Sequence, residues 1–445
     1  MSTRVIGLIG ILAVCLMAGC EKSPEEYQEQ AANPEIFRAT VKKLSDIIVH
    51  DIFSPPVASR VYAYPSIAAY EVMAYSDPDY QSLADQITDL KPPPQPDNPD
   101  INFPLASVQA FIKVGTALVF SEDRMQAYAD EVYDKYRQMG MPERVVSASL
   151  DYGNKVAQHI LDWANGDNYK QSRTFPKYTI NDQSFRWQPT PPNYMDAIEP
   201  HWNKIRTLVI DSSDQFVPVP PTPFNMDQGS KFYQEVMEVY EVGNGLDEEQ
   251  LEIAKFWDCN PYVSHHQGHV MFATKKITPG GHWIGITNIA TRIAEADFIE
   301  TVEAYSLVSI SLFDAFISCW DEKYRSELIR PETVINKYID ENWAPVLQTP
   351  PFPEYTSGHS VISAAAATTL TSLFGEPFSF EDDTELEFGL PPRTFNSFFE
   401  ASNEAAISRL YGGIHYLPAC ENGIVQGRAL GKFVVSNIST RISSS

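Results

Sequence analysis

Three short stretches near the C-terminal end collect the residue types that hold and transform an oxyanion. In Lys323-Tyr324-Arg325-Ser326-Glu327-Leu328-Ile329-Arg330-Pro331 two cations stand seven residues apart. That is two turns of helix, which predicts that Lys323 and Arg330 share one helix face. Two cations so placed repel unless an anion lies between them. In Phe352-Pro353-Glu354-Tyr355-Thr356-Ser357-Gly358-His359-Ser360 the chain runs into an Ala-rich segment, Ala364 to Thr369, a good helix former. Thr356 or Ser357 is its natural N-cap. The first N–H groups of that helix, with Gly358 allowing close approach, make an anion cradle. His359 at its mouth can donate to a bound oxyanion or exchange protons with it. In Ser408-Arg409-Leu410-Tyr411-Gly412-Gly413-Ile414-His415 a helix through Ala405 to Tyr411 stops at Gly412. Arg409 in its last turn can fork two N–H bonds to an oxyanion, and His415, just beyond on a loop, offers a nitrogen as ligand or nucleophile.

The body that must carry this cluster is acidic. Lys and Arg number 33 against 58 Asp and Glu, a formal net charge of −25. Such a field repels nucleic acid and anionic lipid and excludes both as partners. An anion is held only by a local basic cluster. Two Arg, one Lys, two His and a helix N-terminus describe a deep site for a phosphate-like di- or trianion. Each stretch alone reads equally well as a capped helix with satisfied polar groups; all three in this order do not.

Lys-x6-Arg-Pro, Ser-Gly-His and Ser-Arg-x5-His, in that order over residues 323–415, resemble the signature motifs shared by vanadium-dependent haloperoxidases and type 2 phosphatidic acid phosphatases. The resemblance implies an α-helical, bundled fold and a bound vanadate or phosphate. It implies that Lys323, Arg330, Ser357, the Gly358 backbone and Arg409 bind the anion's oxygens. His415 would bond vanadium, or attack phosphorus in a phosphatase, and His359 would be the acid–base histidine. Lys323 would draw charge most directly from the bound oxidant. The Phe352-Pro-x-Tyr-x-Ser-Gly-His block is similar to the chloroperoxidase type. It departs from the family in carrying Thr356 where Pro is usual. Ala419 also stands where the phosphatases keep an Asp that orients the nucleophile. Glu421 is one candidate to hold His415 through its other nitrogen, and Asp258 is a candidate partner for Arg409. The resemblance therefore favours oxidation of halide by hydrogen peroxide, with an organic acceptor downstream. An acid phosphatase with a His nucleophile is the alternative, and a non-catalytic oxyanion-binding lipoprotein is a third reading.

The elements that must position these residues are helices. The chain has 445 residues, 43% hydrophobic, enough for a sizeable core without staples. From Pro34 onward Ile36, Val41, Leu44, Ile47 and Ile48 recur at helical steps. A second apolar helix follows Pro55-Pro56. Residues 105–165 divide into about three helical segments, broken near Glu122-Asp123 and at Gly140-Met141-Pro142. Residues 166–226, rich in Pro, aromatics and Asn/Asp, predict a long irregular stretch packed by its own aromatics. Helical pattern resumes over 231–257 and 287–320, with last helices near 358–374, 397–411 and 422–438. Strand signals are few and short, as in Thr207-Leu208-Val209-Ile210. The expectation is an all-α protein, with an N-terminal helical region (35–226) and a C-terminal one (227–445) that carries the site.

Met1 to Gly19 has a positive start, a short apolar run and small residues before Cys20. This resembles a lipoprotein signal peptide cut before an acylated Cys20, followed by a polar tether over 20–34. By that reading the protein is lipid-anchored in a bacterial cell envelope and touches the membrane only through its anchor. Its oligomeric state is not legible. Cys259, Cys319 and Cys420 permit at most one internal disulfide. His265, His266, His269 and His282 look metal-like, but they lack the glutamate of a zinc-protease motif and Gly268 and Gly280-Gly281 suggest loops, so metal binding there is the minor reading. Glu381-Asp382-Asp383 reads as a solvated loop. Asp51 and Arg60 read as a structural ion pair.

Overall fold

Capping signals set most of the helix boundaries in the computed structural model, which describes residues 24–267 and 270–442. The expected signal peptide, Cys20 and His269 lie outside the described residues. Helices α1 (Pro24–Ala31), α2 (Pro34–Asp51), α3 (Pro55–Met73), α4 (Phe103–Leu118), α5 (Glu122–Gln138), α6 (Glu143–Ala164) and the single turn α7 (Tyr169–Ser172) form the N-terminal half. The C-terminal half adds α8 (Lys231–Asn244), α9 (Glu248–Phe256), α10 (Pro279–Ile293), α11 (Phe298–Ser326), α12 (Pro331–Tyr338), α13 (Gly358–Phe374), α14 (Phe398–Tyr411) and α15 (Leu417–Asn437). Two short antiparallel hairpins, β1 (Val263–Gln267) with β2 (Val270–Thr274) and β3 (Phe380–Asp382) with β4 (Arg393–Phe395), complete an all-α architecture.

Proline at the first turn and a polar cap begin α2, α4 and α10 through Asn33, Asn102 and Thr278. Reciprocal capping boxes begin α9 (Asp247 with Gln250) and α11 (Asp297 with Glu300). The segment expected as a tether holds α1, whose Tyr27 and Ala31 are buried in the main core; two inward-facing apolar residues four apart suffice to dock a polar helix.

One apolar core runs from Tyr27 to Ile438 and joins the two sequence halves. Its axis is α11, packed by α2, α3, α10, α13 and α15. Among the described residues, α11 is the one helix long and apolar enough to cross a membrane, but its apolar window is wholly buried in protein. A second cluster, built from Phe232, Val236 and Val239 of α8, Val334 and Ile335 of α12, and Tyr355, Leu410 and Tyr416, backs the loops that carry the site. On α15, Gly423, Gly427 and Gly431 recur every four residues and lie directly on the backbone of α13.

Two local expectations fail for identifiable reasons. Residues 207–210 form no strand. The N–H groups of Leu208, Val209 and Ile210 all donate to the buried Asp314 carboxylate of α11 (2.7–3.0 Å), which replaces a sheet partner. Arg60 pairs with Asp167 (2.6 Å), while Asp51 caps Phe120 and Ser121.

Candidate active site

Lys323 stands in the last turn of α11, and that helix ends before Arg330. Glu327 takes the left-handed conformation (φ 48°) and closes the turn by donating to Lys323 O. Arg330 is then the extended N-cap of α12, as a residue before proline must be. The expected shared helix face is therefore absent. The break lets the two cations reach the 352–357 segment from different directions. Lys323 Nζ donates to the carbonyls of Pro353 and Glu354 (both 3.0 Å) and Thr356 (2.5 Å). Arg330 donates from Nε to Phe352 O (2.9 Å) and from Nη1 to Ile414 O (2.8 Å). Both cations lie 5.1 Å from the centre of the Phe352 ring.

Ser357, one of the two expected caps, begins α13, its Oγ accepting from Ser360 N. Gly358 and His359 open onto a cavity of about 560 Å³. A Cβ added at Gly358 would stand 3.6 Å from the Trp320 ring, which lines the same cavity. Arg409 leaves the last turn of α14 and donates to Trp257 O (2.6 Å) and Ser408 Oγ (2.9 Å). Gly412 ends α14, and Gly413 turns the chain with φ 74° where a side chain would press on Trp343 and Pro345. Only glycine makes that turn without strain, and it delivers His415 to the same cavity.

His415 Nδ1 bonds to Glu354 Oε1 (2.8 Å), which also accepts Tyr416 N–H (3.0 Å). A carboxylate on Nδ1 fixes the tautomer with its proton there and leaves the Nε2 lone pair free to accept, at present from Arg330 Nη1 (3.1 Å). Burial, reinforced by Arg330 and Lys323, holds His415 well below the usual histidine range. Burial and then Arg409 do the same to His359. Both imidazoles are neutral. The Trp257 carbonyl acts against that shift in His359. Burial brings Lys323 down to about 8 and Arg330 to about 10, and raises Glu354 to about 7. These shifts mark buried positive charge with one carboxylate to offset it, the condition an oxyanion relieves.

All seven expected anion-site residues, Lys323, Arg330, Ser357, Gly358, His359, Arg409 and His415, converge on this one region. The two expected outer carboxylates differ. Glu421 is exposed on α15, and Ala419 is buried with its carbonyl accepting Ser357 N–H. Asp258 bonds Lys276 (2.9 Å), although its charge acts on Arg409. Glu354 holds the histidine instead. It is the sole acid in the Ser-Gly-His block, but nothing in the spacing says that this block folds back on His415. The Trp257 carbonyl, which accepts from Arg409, has no side-chain signature to read.

Residues 336–444 match the family model described as the VCPO second helical-bundle domain. Over 93% of this chain and 99% of the other, the fold matches the first bacterial vanadium-dependent iodoperoxidase structure, at 53% identity and a TM-score of 0.89. Holo and apo structures of a bacterial vanadium-dependent chloroperoxidase share the fold at TM-scores of 0.64 and 0.63. They are 14% identical and cover 87% and 86% of this chain and 93% and 94% of theirs. No curated protein matches the chain. The chain belongs to the vanadium-dependent haloperoxidases, peroxidases that oxidise halide with hydrogen peroxide and take vanadate as cofactor.

The residues present fit that cofactor. Arg330 Nη2 and His359 Nε2 are buried polar atoms without partners. Beside the acceptor Nε2 of His415 and the start of α13, they form the donor and ligand set that a tetrahedral oxyanion requires.

Proposed function

We propose that this chain is an iodide-oxidising haloperoxidase whose vanadate is held by Arg330, Ser357, the Gly358 N–H, Arg409 and Lys323, with His415 Nε2 as its protein ligand. The observation that carries the proposal is the His415–Glu354 pair. It presents a neutral, correctly protonated imidazole to a cavity lined also by His359 with its unpartnered Nε2, beside Arg330, whose Nη2 is likewise unpartnered. When bound, vanadate supplies a Lewis-acid centre that activates peroxide toward halide.

The chain's own groups do the rest. Glu354 keeps the proton on Nδ1, so Nε2 always faces the anion as a ligand. Arg330, through its unpartnered Nη2, and Arg409 would donate to the anion's oxygens. Lys323, anchored to three carbonyls, contributes a positive charge and stiffens the 353–356 segment. His359, neutral, presents its unpartnered Nε2 to accept a proton from incoming peroxide and return it to a leaving oxygen. Apolar walls of Ile198, Phe316, Trp320 and Phe352 exclude water. They suit a large, weakly hydrated anion, and they are wide enough for an apolar organic acceptor.

The test is halide oxidation by vanadate-free protein before and after orthovanadate. Triiodide formation should appear only after loading and far exceed bromination or chlorination of monochlorodimedone. Equal rates for bromide and iodide would overturn the iodide assignment. Fast phosphate-ester hydrolysis with no halide oxidation after loading would overturn the reading as a whole.

A further inference from the structure

Beyond Trp257, whose carbonyl accepts from Arg409, lies a second cluster that the halide chemistry does not use. Cys259 follows α9, His282 is in α10, and Glu385 follows the β3 strand; all three are buried. Their ligand-type atoms form a triangle. Cys259 Sγ is 3.4 Å from His282 Nδ1 and 3.8 Å from Glu385 Oε1, and His282 Nδ1 is 3.2 Å from Glu385 Oε1. A tetrahedral ion with sulfur at ~2.3 Å and nitrogen and oxygen at ~2.0 Å holds such atoms roughly 3.3–3.6 Å apart. With the Nδ1 proton given to the carboxylate, the thiol's own proton reaches Glu385 Oε1 only over 3.8 Å, a long contact. The other carboxylate oxygen, Glu385 Oε2, is buried without a partner.

The far side of the imidazole carries the arrangement that metal-bound histidines use. His282 Nε2 meets Asp382 Oδ2 (2.8 Å) and Thr384 Oγ1 (2.8 Å). A carboxylate there fixes the proton on Nε2 and turns the Nδ1 lone pair toward the cluster. Cys259 also lines the 560 Å³ cavity, which gives an ion a route in. We infer that Cys259 Sγ, His282 Nδ1 and Glu385 bind one zinc ion, with Asp382 orienting the histidine and a water completing the tetrahedron. Thiolate, imidazole and carboxylate together suit a borderline-soft divalent ion rather than calcium or magnesium. On binding, the Cys259 thiol releases its proton to solvent, with no change of oxidation state.

The consequence reaches the anion site. The Trp257 ring stacks on His282 at 4.5 Å, and the Trp257 carbonyl accepts from Arg409 Nη2 (2.6 Å). An ion fixing His282 thereby steadies the residue whose carbonyl holds Arg409.

The full-length, vanadate-free protein is loaded with zinc and dialysed, and its metal content and zinc K-edge X-ray absorption are measured. The expected result is about one zinc per chain, with one sulfur and the remaining ligands nitrogen or oxygen. Cobalt substitution should give a thiolate-to-cobalt charge-transfer band that Cys259→Ser abolishes and Cys420→Ser keeps. No retained zinc, a shell without sulfur, or a band that survives Cys259→Ser would each overturn the assignment. The absorption measurement on the unmodified protein decides the matter even where a variant fails to fold.

Discussion

At the scale of the single residue, the site turns on a carboxylate that does not touch the anion. Glu354 accepts from His415 Nδ1 and Tyr416 N through one oxygen, so it both sets the tautomer and pins the loop after Gly413. Glu354→Gln keeps the shape but removes the charge and lets the amide present its NH2 instead. Outer partners of metal-bound histidines typically contribute a factor of about 10–100 in affinity. Vanadate affinity measured by calorimetry should fall by that order while the thermal midpoint stays close to wild type. Unchanged affinity would mean that the Arg330 contact alone orients the ring. The anion-binding side chains were legible in the sequence because charge and helix-cap chemistry leave type-specific traces. Glu354 was not, because nothing in spacing alone says which loop folds back on His415. Its presence also removes the argument that Ala419 disfavours phosphoryl transfer; the preference for halide oxidation rests on kinship with the iodoperoxidase and on the fit to vanadate.

At the scale of elements, helix positions were largely readable, since caps and apolar periodicity are local. What the sequence hid was how elements touch. Lys323 and Arg330 look like one helix face until Glu327 turns and Pro331 starts a new helix. Asp382 looks like part of a solvated run until β3 pairs with β4 and carries it against His282. The contact between α13 and α15 is the element-level device that aims the Ser357–His359 start. At Gly427 a Cβ would lie 2.1 Å from Val361 O, so any side chain forces the two helices apart. Gly427→Ala should cost about 1–3 kcal/mol by overpacking and should weaken vanadate binding as well, because the displaced helix carries the cradle. Gly229→Ala, exposed with open space around it, is the control. Urea unfolding with parallel vanadate titration reads both effects. A Gly427→Ala protein with wild-type stability and affinity would show that the helices yield freely.

At the scale of the molecule, the division into an N-terminal and a C-terminal region is one of sequence alone. The core is continuous through α3, α4 and α11 into α13 and α15, and the cavity takes walls from both halves: Ile52 and Pro55 from the first, Met195 and Ile198 from the irregular stretch, and His359, Arg409 and His415 from the second. The irregular stretch is itself tied to the site, with Trp187 N bonded to Glu327 O (2.7 Å) and Ile329 N to Phe185 O (2.8 Å) beside the break between Lys323 and Arg330. A ligand that binds only the folded site should therefore stabilise the whole chain. At a hundred times Kd the gain is about 2.7 kcal/mol. Unfolding entropy is about 2.1 cal/mol/K per residue, so for a chain of this length the shift in Tm is roughly 3 °C. Calorimetry with and without vanadate should show one transition that moves as a unit. Tryptophan fluorescence, with reporters such as Trp163 and Trp202 in the first half and Trp283 and Trp320 in the second, should follow the same curve. An early transition left unshifted by vanadate would mean that α4 to α6 unfold on their own, and that the continuous core does not couple them to the site.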